Sequence, residues 1–124
     1  MKNFDELFSE LLLLEDPMDK YEWIIDYGGS GYGIPDSQKI DVNLVHGCTS
    51  RLWVIKSNDN IFCEADSVIV DGFASMICDW WNQASEEQRS NFSITDLATV
   101  GLMPLLSMGR QNGVANLISK LRTL

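Results

Sequence analysis

Residues 42–64 read Val42-Asn43-Leu44-Val45-His46-Gly47-Cys48-Thr49-Ser50-Arg51-Leu52-Trp53-Val54-Ile55-Lys56-Ser57-Asn58-Asp59-Asn60-Ile61-Phe62-Cys63-Glu64. Three short runs, 42–45, 52–55 and 61–64, are rich in β-branched and aromatic residues and are separated by turn formers, which predicts a small antiparallel meander of three strands. Gly47-Cys48-Thr49-Ser50 forms the first turn and Ser57-Asn58-Asp59-Asn60 the second. Cys48 is therefore expected at a turn, and Cys63 inside a strand.

On either side of this stretch the apolar period becomes helical. Phe4, Leu7, Phe8, Leu11 and Leu12 recur at i, i+3, i+4, i+7 and i+8 behind Asn3 as cap, with Asp5 and Glu6 favouring the dipole, and predict an amphipathic first helix. Asp16-Pro17 opens a second, short helix that carries Tyr21, Ile24 and Ile25 and stops at Gly28-Gly29. Residues 28–41, with Gly28, Gly29, Gly31, Gly33 and Pro35, predict a loop reaching across the molecule. After Asp66-Ser67 the pairs Val68/Ile69, Gly72/Phe73, Met76/Ile77 and Trp80/Trp81 describe one broad face of a long helix that covers the sheet. Ser85-Glu86-Glu87-Gln88 has the capping-box pattern of a further short helix. A segment around Leu97–Leu106, interrupted by Gly101 and Pro104, then precedes a last helix carrying Val114, Leu117, Ile118 and Leu121. The order is ααβββ followed by helices, an α+β fold with a small antiparallel three-stranded sheet packed against helices. The 124 residues are enough for one core, and 1–124 is expected to be a single domain.

Eighteen acidic against nine basic side chains give a net charge of −9. With no basic run to displace phosphate counterions, nucleic acid is not an expected partner, and the charge favours basic protein patches over anionic membranes. Leu11–Leu14 is too short a run for a secretory signal. The uncharged stretch Leu97–Gly109 contains Pro104 and falls well short of the roughly 20 residues of a spanning helix. A cytoplasmic location without membrane contact is expected.

Three cysteines, Cys48, Cys63 and Cys78, without any CxxC pair, fit neither a disulfide framework nor a zinc ribbon, and the one histidine, His46, adds no ligand spacing. Free thiols with no metal and no bound cofactor are expected. Glycine-rich phosphate loops, Gly-x-Ser-x-Gly elbows and His-Glu-x-x-His are all absent from the sequence. Cys63, in an apolar strand, and Cys78, beside the face of Ile77 and Trp81, read as small core hydrophobes. Cys48 differs, since Gly47 permits a tight backbone and leaves room for another molecule to reach the sulfur. A thiol attacks as thiolate and needs positive charge or backbone N–H groups near it to do so at neutral pH. The amides of Thr49 and Ser50 are placed to help, whereas His46 and Arg51 read as solvated strand residues. Arg110 stands in the first turn of the last helix, where it opposes the dipole. Flanked by Gly109 and Gly113, it is the second candidate, fit to pair with an acid or to stabilise a thiolate.

Asn43-Leu44-Val45-His46-Gly47-Cys48-Thr49-Ser50-Arg51-Leu52-Trp53-Val54 resembles the sulfur-acceptor signature of the SufE proteins, Asn-x-[Val/Ile]-x-Gly-Cys-x-Ser-x-Val-Trp. Lys20-Tyr21-Glu22-Trp23-Ile24-Ile25-Asp26-Tyr27-Gly28 is similar to the family's Lys-Tyr-x-x-Ile-Ile-x-Leu-Gly, and Ile34-Pro35 to its Leu-Pro. Asp66-Ser67-Val68-Ile69-Val70-Asp71-Gly72-Phe73 is similar to Asp-Ala-x-Ile-Val-x-Gly-Leu, and Leu106-Ser107-Met108-Gly109-Arg110-Gln111-Asn112-Gly113-Val114 to Leu-Ser-x-Ser-Arg-x-x-Gly-Leu. The chain departs from the pattern at Glu64-Ala65-Asp66, where the family has Asp-Ser-Asp, and at Gly109, where it has Ser.

The resemblance implies a SufE/IscU-like fold and a protein that takes persulfide sulfur from a pyridoxal-phosphate cysteine desulfurase of the SufS kind. That sulfur would pass onward to an iron–sulfur scaffold complex, and the acceptor itself would hold no cofactor. By this carry-over Cys48 is the nucleophile and Arg110 stabilises its thiolate or orients its loop, and a homodimer is compatible with the role. Two other readings remain open. A metal or iron–sulfur scaffold of the IscU type requires the three sulfurs to converge, and a non-catalytic acidic interaction module requires equal reactivity, or none, at all three cysteines.

Overall fold

The computed structural model describes residues 2–29 and 33–124. In chain order these form helices α1 (Phe4–Leu7) and α2 (Pro17–Gly29), strands β1 (Leu52–Ser57) and β2 (Asn60–Ala65), and helices α3 (Val68–Gln83), α4 (Glu86–Asn91) and α5 (Met108–Leu121). Short 3-10 segments lie at Ser9–Leu13, Asp36–Gln38, Asp41–Asn43, Ile94–Val100 and Met103–Leu105. Of the loop expected over 28–41, residues 30–32 lie outside the described residues.

Helix α3 is the centre of the core. Ser67 caps it through a hydrogen bond from the Val70 amide, and Phe73, Met76, Ile77 and Trp80 are at most 2% exposed. Helix α2 crosses it unusually closely. A Cβ on Gly28 would lie 2.8 Å from the Gly72 nitrogen, and one on Gly72 would collide with the Ile24 carbonyl oxygen, so the pair of glycines sets the distance between the two backbones. The hairpin packs on α3 as well. The Asn82 side chain accepts from the Ile61 amide at 2.7 Å and donates to the Ile61 carbonyl at 2.9 Å, satisfying the outer edge of β2.

The fold is α+β, but the sheet has two strands, not three. β1 and β2 pair antiparallel from Leu52↔Ala65 to Ser57↔Asn60, around a two-residue turn in which Asn58 and Asp59 take positive φ of 51° and 67°. The run 42–45, expected as a third strand, contributes only an isolated bridge, Leu44↔Trp53. Its backbone is engaged locally, with the Asn43 amide bonding Ile40 O at 2.9 Å and the Leu44 amide Asp41 O at 3.1 Å. The Asn43 side chain donates to Gln38 O at 2.8 Å, and Val42, 72% exposed, has no core to face. Local bonding of this kind displaces a strand ladder wherever burial does not oppose it.

The first helix is also shorter than its periodicity suggests. α-Helical geometry ends at Phe8 (φ −111°, ψ 28°), and the chain tightens into the Ser9–Leu13 turn. Phe4 packs on Phe8, Phe92 and Trp80, and Phe8 on Trp23 and Tyr27, with ring centroids 4.8–6.2 Å apart. This aromatic cluster holds Phe4, Phe8 and Leu11 inside, while Leu12 is 55% exposed instead of joining the apolar face. The remaining helices follow their sequence signals, including the Ser85/Gln88 capping box of α4 and the buried Val114, Leu117, Ile118 and Leu121 of α5.

Candidate functional site

Cys48 lies in the loop 46–51, closed at its base by the Leu44↔Trp53 bridge and by the Val45 amide donating to Leu52 O at 2.7 Å. Gly47 makes the reversal at φ +82°, a conformation that side chains with a Cβ rarely adopt. At the far end of the loop the Arg51 amide bonds the Asp66 carboxylate at 2.9 Å, and the Asp66 amide bonds Arg51 O at 3.0 Å. The turn position expected for Cys48 is thus present, although only one of its flanking strands forms.

The loop is seated on helix α5. A Cβ on Gly113 would lie 2.7 Å from Cys48 Sγ, and one on Gly109 would lie 2.8 Å from Thr49 Cγ2. One turn further on, the Asn116 side chain donates to His46 O at 2.8 Å and occupies the place where a Cβ on Gly47 would stand. Lys120 Nζ donates to Val42 O at 2.9 Å. Positions 109, 113, 116 and 120 are spaced by four, three and four, which puts them in one row along the helix. Two glycines make the upper half of that row a flat seat for the cysteine, and two long polar side chains make the lower half a pair of hydrogen-bond donors. The glycines are legible in the sequence; Asn116 and Lys120 carry no sequence signal, because only the tertiary contact shows what their 116/120 spacing faces.

Arg110 occupies the α5 turn between the two seat glycines. Its amide bonds the Ser107 cap, its side chain is half-buried, and among the described residues it has no carboxylate within ion-pair distance. His46 and Arg51 are exposed. The only ion pairs among the described residues belong to Lys39, with Asp36 at 3.3 Å and Glu64 at 2.5 Å. Glu64 also accepts from the Ile34 amide at 2.9 Å, and Asp71, whose carboxyl is pushed up by burial, accepts from the Ala65 amide at 3.0 Å. These acids thus tie the segment after residue 33 and the end of β2 together.

Cys48 is half-buried, whereas Cys63 and Cys78 are buried in the core. Cys63 on β2 and Cys78 on α3 are both buried, and the neighbouring Cys63 sulfur, then burial, push the Cys78 thiol up. A thiol held protonated inside a core is inert. A limiting amount of iodoacetamide is therefore expected to label Cys48 in the native protein, and all three cysteines only in denaturant; peptide mapping reads the result. Equal native labelling at Cys63 or Cys78 would remove the distinction. Among the described residues no three His, Cys, Asp or Glu side chains converge as a metal-binding group, and no helix is long and apolar enough to cross a membrane.

The arrangement offers one accessible sulfur on a loop that turns at Gly47, and among the described residues no acid–base pair stands beside it. Thiol exchange needs no more than this. Residues 5–124 match the family model SufE, described as an Fe-S metabolism associated domain. An uncharacterized SufE-like protein of Rhizobium meliloti is 22% identical over 99% of this chain and 94% of its own length. From Arabidopsis thaliana, the chloroplastic/mitochondrial SufE-like protein 1 is 28% identical over 85% of this chain and 30% of its own. The chloroplastic quinolinate synthase of the same plant is 30% identical over 78% of this chain and only 14% of that protein.

Proposed function

This chain belongs to the SufE family, and on that premise we propose that it is a sulfur acceptor which takes persulfide sulfur from a cysteine desulfurase onto Cys48 and passes it toward iron–sulfur cluster assembly. The Cys48 thiolate attacks the outer sulfur of the desulfurase's cysteine persulfide. A new S–S bond forms at Cys48, the old one breaks, and the electron pair leaves with the desulfurase thiolate. The product is Cys48–S–SH, and no outside oxidant or reductant enters. The observation that supports this reading is the contrast among the three thiols: Cys48 alone is half-exposed, on a loop that turns at the positive-φ Gly47, while the other two are buried in the core. Incubation with a cysteine desulfurase and cysteine, followed by mass spectrometry of the cysteine peptides, tests it. Added sulfur on the Cys48 peptide is expected; sulfur spread over Cys63 or Cys78 would overturn the assignment.

Arg110 acts in this proposal by favouring the thiolate. A cation close to a sulfur favours its thiolate, and losing it is expected to cut the reacting fraction severalfold. Alkylation of Cys48 near neutral pH is expected to slow about that much in Arg110→Ala and to recover in part in Arg110→Lys, whose point charge lacks the guanidinium fork. Melting temperature should stay level or rise slightly, because the cation leaves the positive end of the helix dipole. Superimposable rate–pH profiles for the three proteins would show that Arg110 does not act on the thiol.

A further inference from the structure

We propose that Asn116 and Lys120 are positioning residues that clasp the Cys48 loop onto α5 and set how often the thiol is released to a partner. This rests on the reading of Cys48 as the sulfur acceptor. The two bonds, Asn116 Nδ2 to His46 O at 2.8 Å and Lys120 Nζ to Val42 O at 2.9 Å, fall on either side of Leu44, the residue that bridges to β1. They hold the segment where a full strand ladder does not. Without them the polar fastening of that end reduces to the Leu44↔Trp53 bridge with its Val45–Leu52 bond, beside the buried Val45 side chain.

Seated, the Cys48 sulfur lies against the backbone of Gly113, which closes one side of it to an incoming group. Attack on a persulfide needs the three sulfurs close to a line, and lifting the loop from the helix frees the approaches that Gly113 closes. Lifting the loop breaks the Asn116 bond, and lifting it together with its base at Leu44 breaks the Lys120 bond as well. Asn116 is exposed and Lys120 half-buried, so water replaces each lost bond and the net cost of opening is small. The arrangement is a latch of moderate strength, closed at rest and within reach of a partner's binding energy. Neither donor has another hydrogen-bond or ion-pair partner among the described residues, so each serves the loop alone.

The test is the rate of Cys48 alkylation by iodoacetamide in the full chain, together with hydrogen exchange at residues 46–49 and melting curves. The variants are Asn116→Ala, Asn116→Leu, Lys120→Met, the Asn116→Leu/Lys120→Met double and Lys120→Arg. Leu keeps the bulk of Asn beside Gly47 but donates nothing, and Met keeps most of the lysine stem. Each single loss is expected to speed Cys48 labelling about fivefold, and the double about twentyfold, with Cys63, Cys78 and the melting temperature unchanged. Lys120→Arg, which keeps a donor, should stay within about twofold of wild type. Wild-type rates in the Leu and Met variants would overturn the clasp, as would faster labelling of all three cysteines in step with a lower melting temperature. Alkylation involves no desulfurase, so a wild-type chain that takes up no sulfur would refute the acceptor role while leaving the latch result to stand separately.

Discussion

Cys48→Ser is expected to abolish sulfur uptake from a cysteine desulfurase, lowering it by several orders of magnitude, while the melting temperature stays within about 2 °C of wild type. A serine hydroxyl carries no useful fraction of anion at neutral pH without a base beside it, and among the described residues no base is hydrogen-bonded to residue 48. The substitution is nearly isosteric at a half-buried loop position, so little packing is lost. Cys63→Ala and Cys78→Ala supply the contrast. Both should accept sulfur at the wild-type rate yet melt several degrees lower, because removing a buried sulfur leaves a small cavity costing about 1 kcal/mol. The measurement is sulfur uptake by mass spectrometry beside a thermal melt for each variant. Retained uptake in Cys48→Ser would end the acceptor assignment.

The largest effect on stability is expected at Gly72. Alanine usually gains about 1 kcal/mol over glycine in a helix interior, which alone would make Gly72→Ala stabilising. Here the added methyl would strike the Ile24 carbonyl oxygen, with Ile24 Cγ2 only 2.6 Å away. Backbone cannot rotate aside like a side chain, so α2 and α3 would have to separate along their contact. Overpacking of a core costs about 1–3 kcal/mol when side chains can adjust, and a rigid backbone contact belongs at or above the top of that range. A net loss of about 3 kcal/mol lowers the melting temperature of a domain this size by about 10 °C, and Gly72→Val is expected not to fold. Gly29→Ala is the control, since a Cβ there meets nothing within 4 Å among the described residues. It should be neutral or slightly stabilising. A Gly72→Ala melting curve matching wild type would show that the helix crossing gives way easily.

Much of the molecule is legible in the chain because its signals are local. The Ser67 and Ser85 caps, the Asn58-Asp59 turn and the four-residue repeat of α3 depend on neighbours within one or two turns, and each element forms where those residues stand. The same locality places Cys48 in a turn and makes Cys63 and Cys78 core residues. The signals fail where a local preference competes with a distant partner. Val42-Asn43-Leu44-Val45 has strand composition, but its hydrogen bonds go to Gln38, Ile40, Asp41 and Lys120, leaving a bridge in place of a ladder. Leu12 keeps the helical register, but packing of Phe8 against Trp23 and Tyr27 tightens the turn before it.

The sequence by itself determined the α+β class, the helix caps and hairpin turn, the burial of two cysteines and the loop position of the third. It did so because apolar periodicity and turn chemistry are written into consecutive residues. Tertiary structure alone decided that the sheet has two strands, that Gly28 and Gly72 bring two helices into backbone contact, and that Gly109, Gly113, Asn116 and Lys120 form the surface on which the Cys48 loop lies. The glycine and side-chain contacts join residues 44 to 78 positions apart, where the reason for a glycine or an asparagine is the atom it meets across the fold.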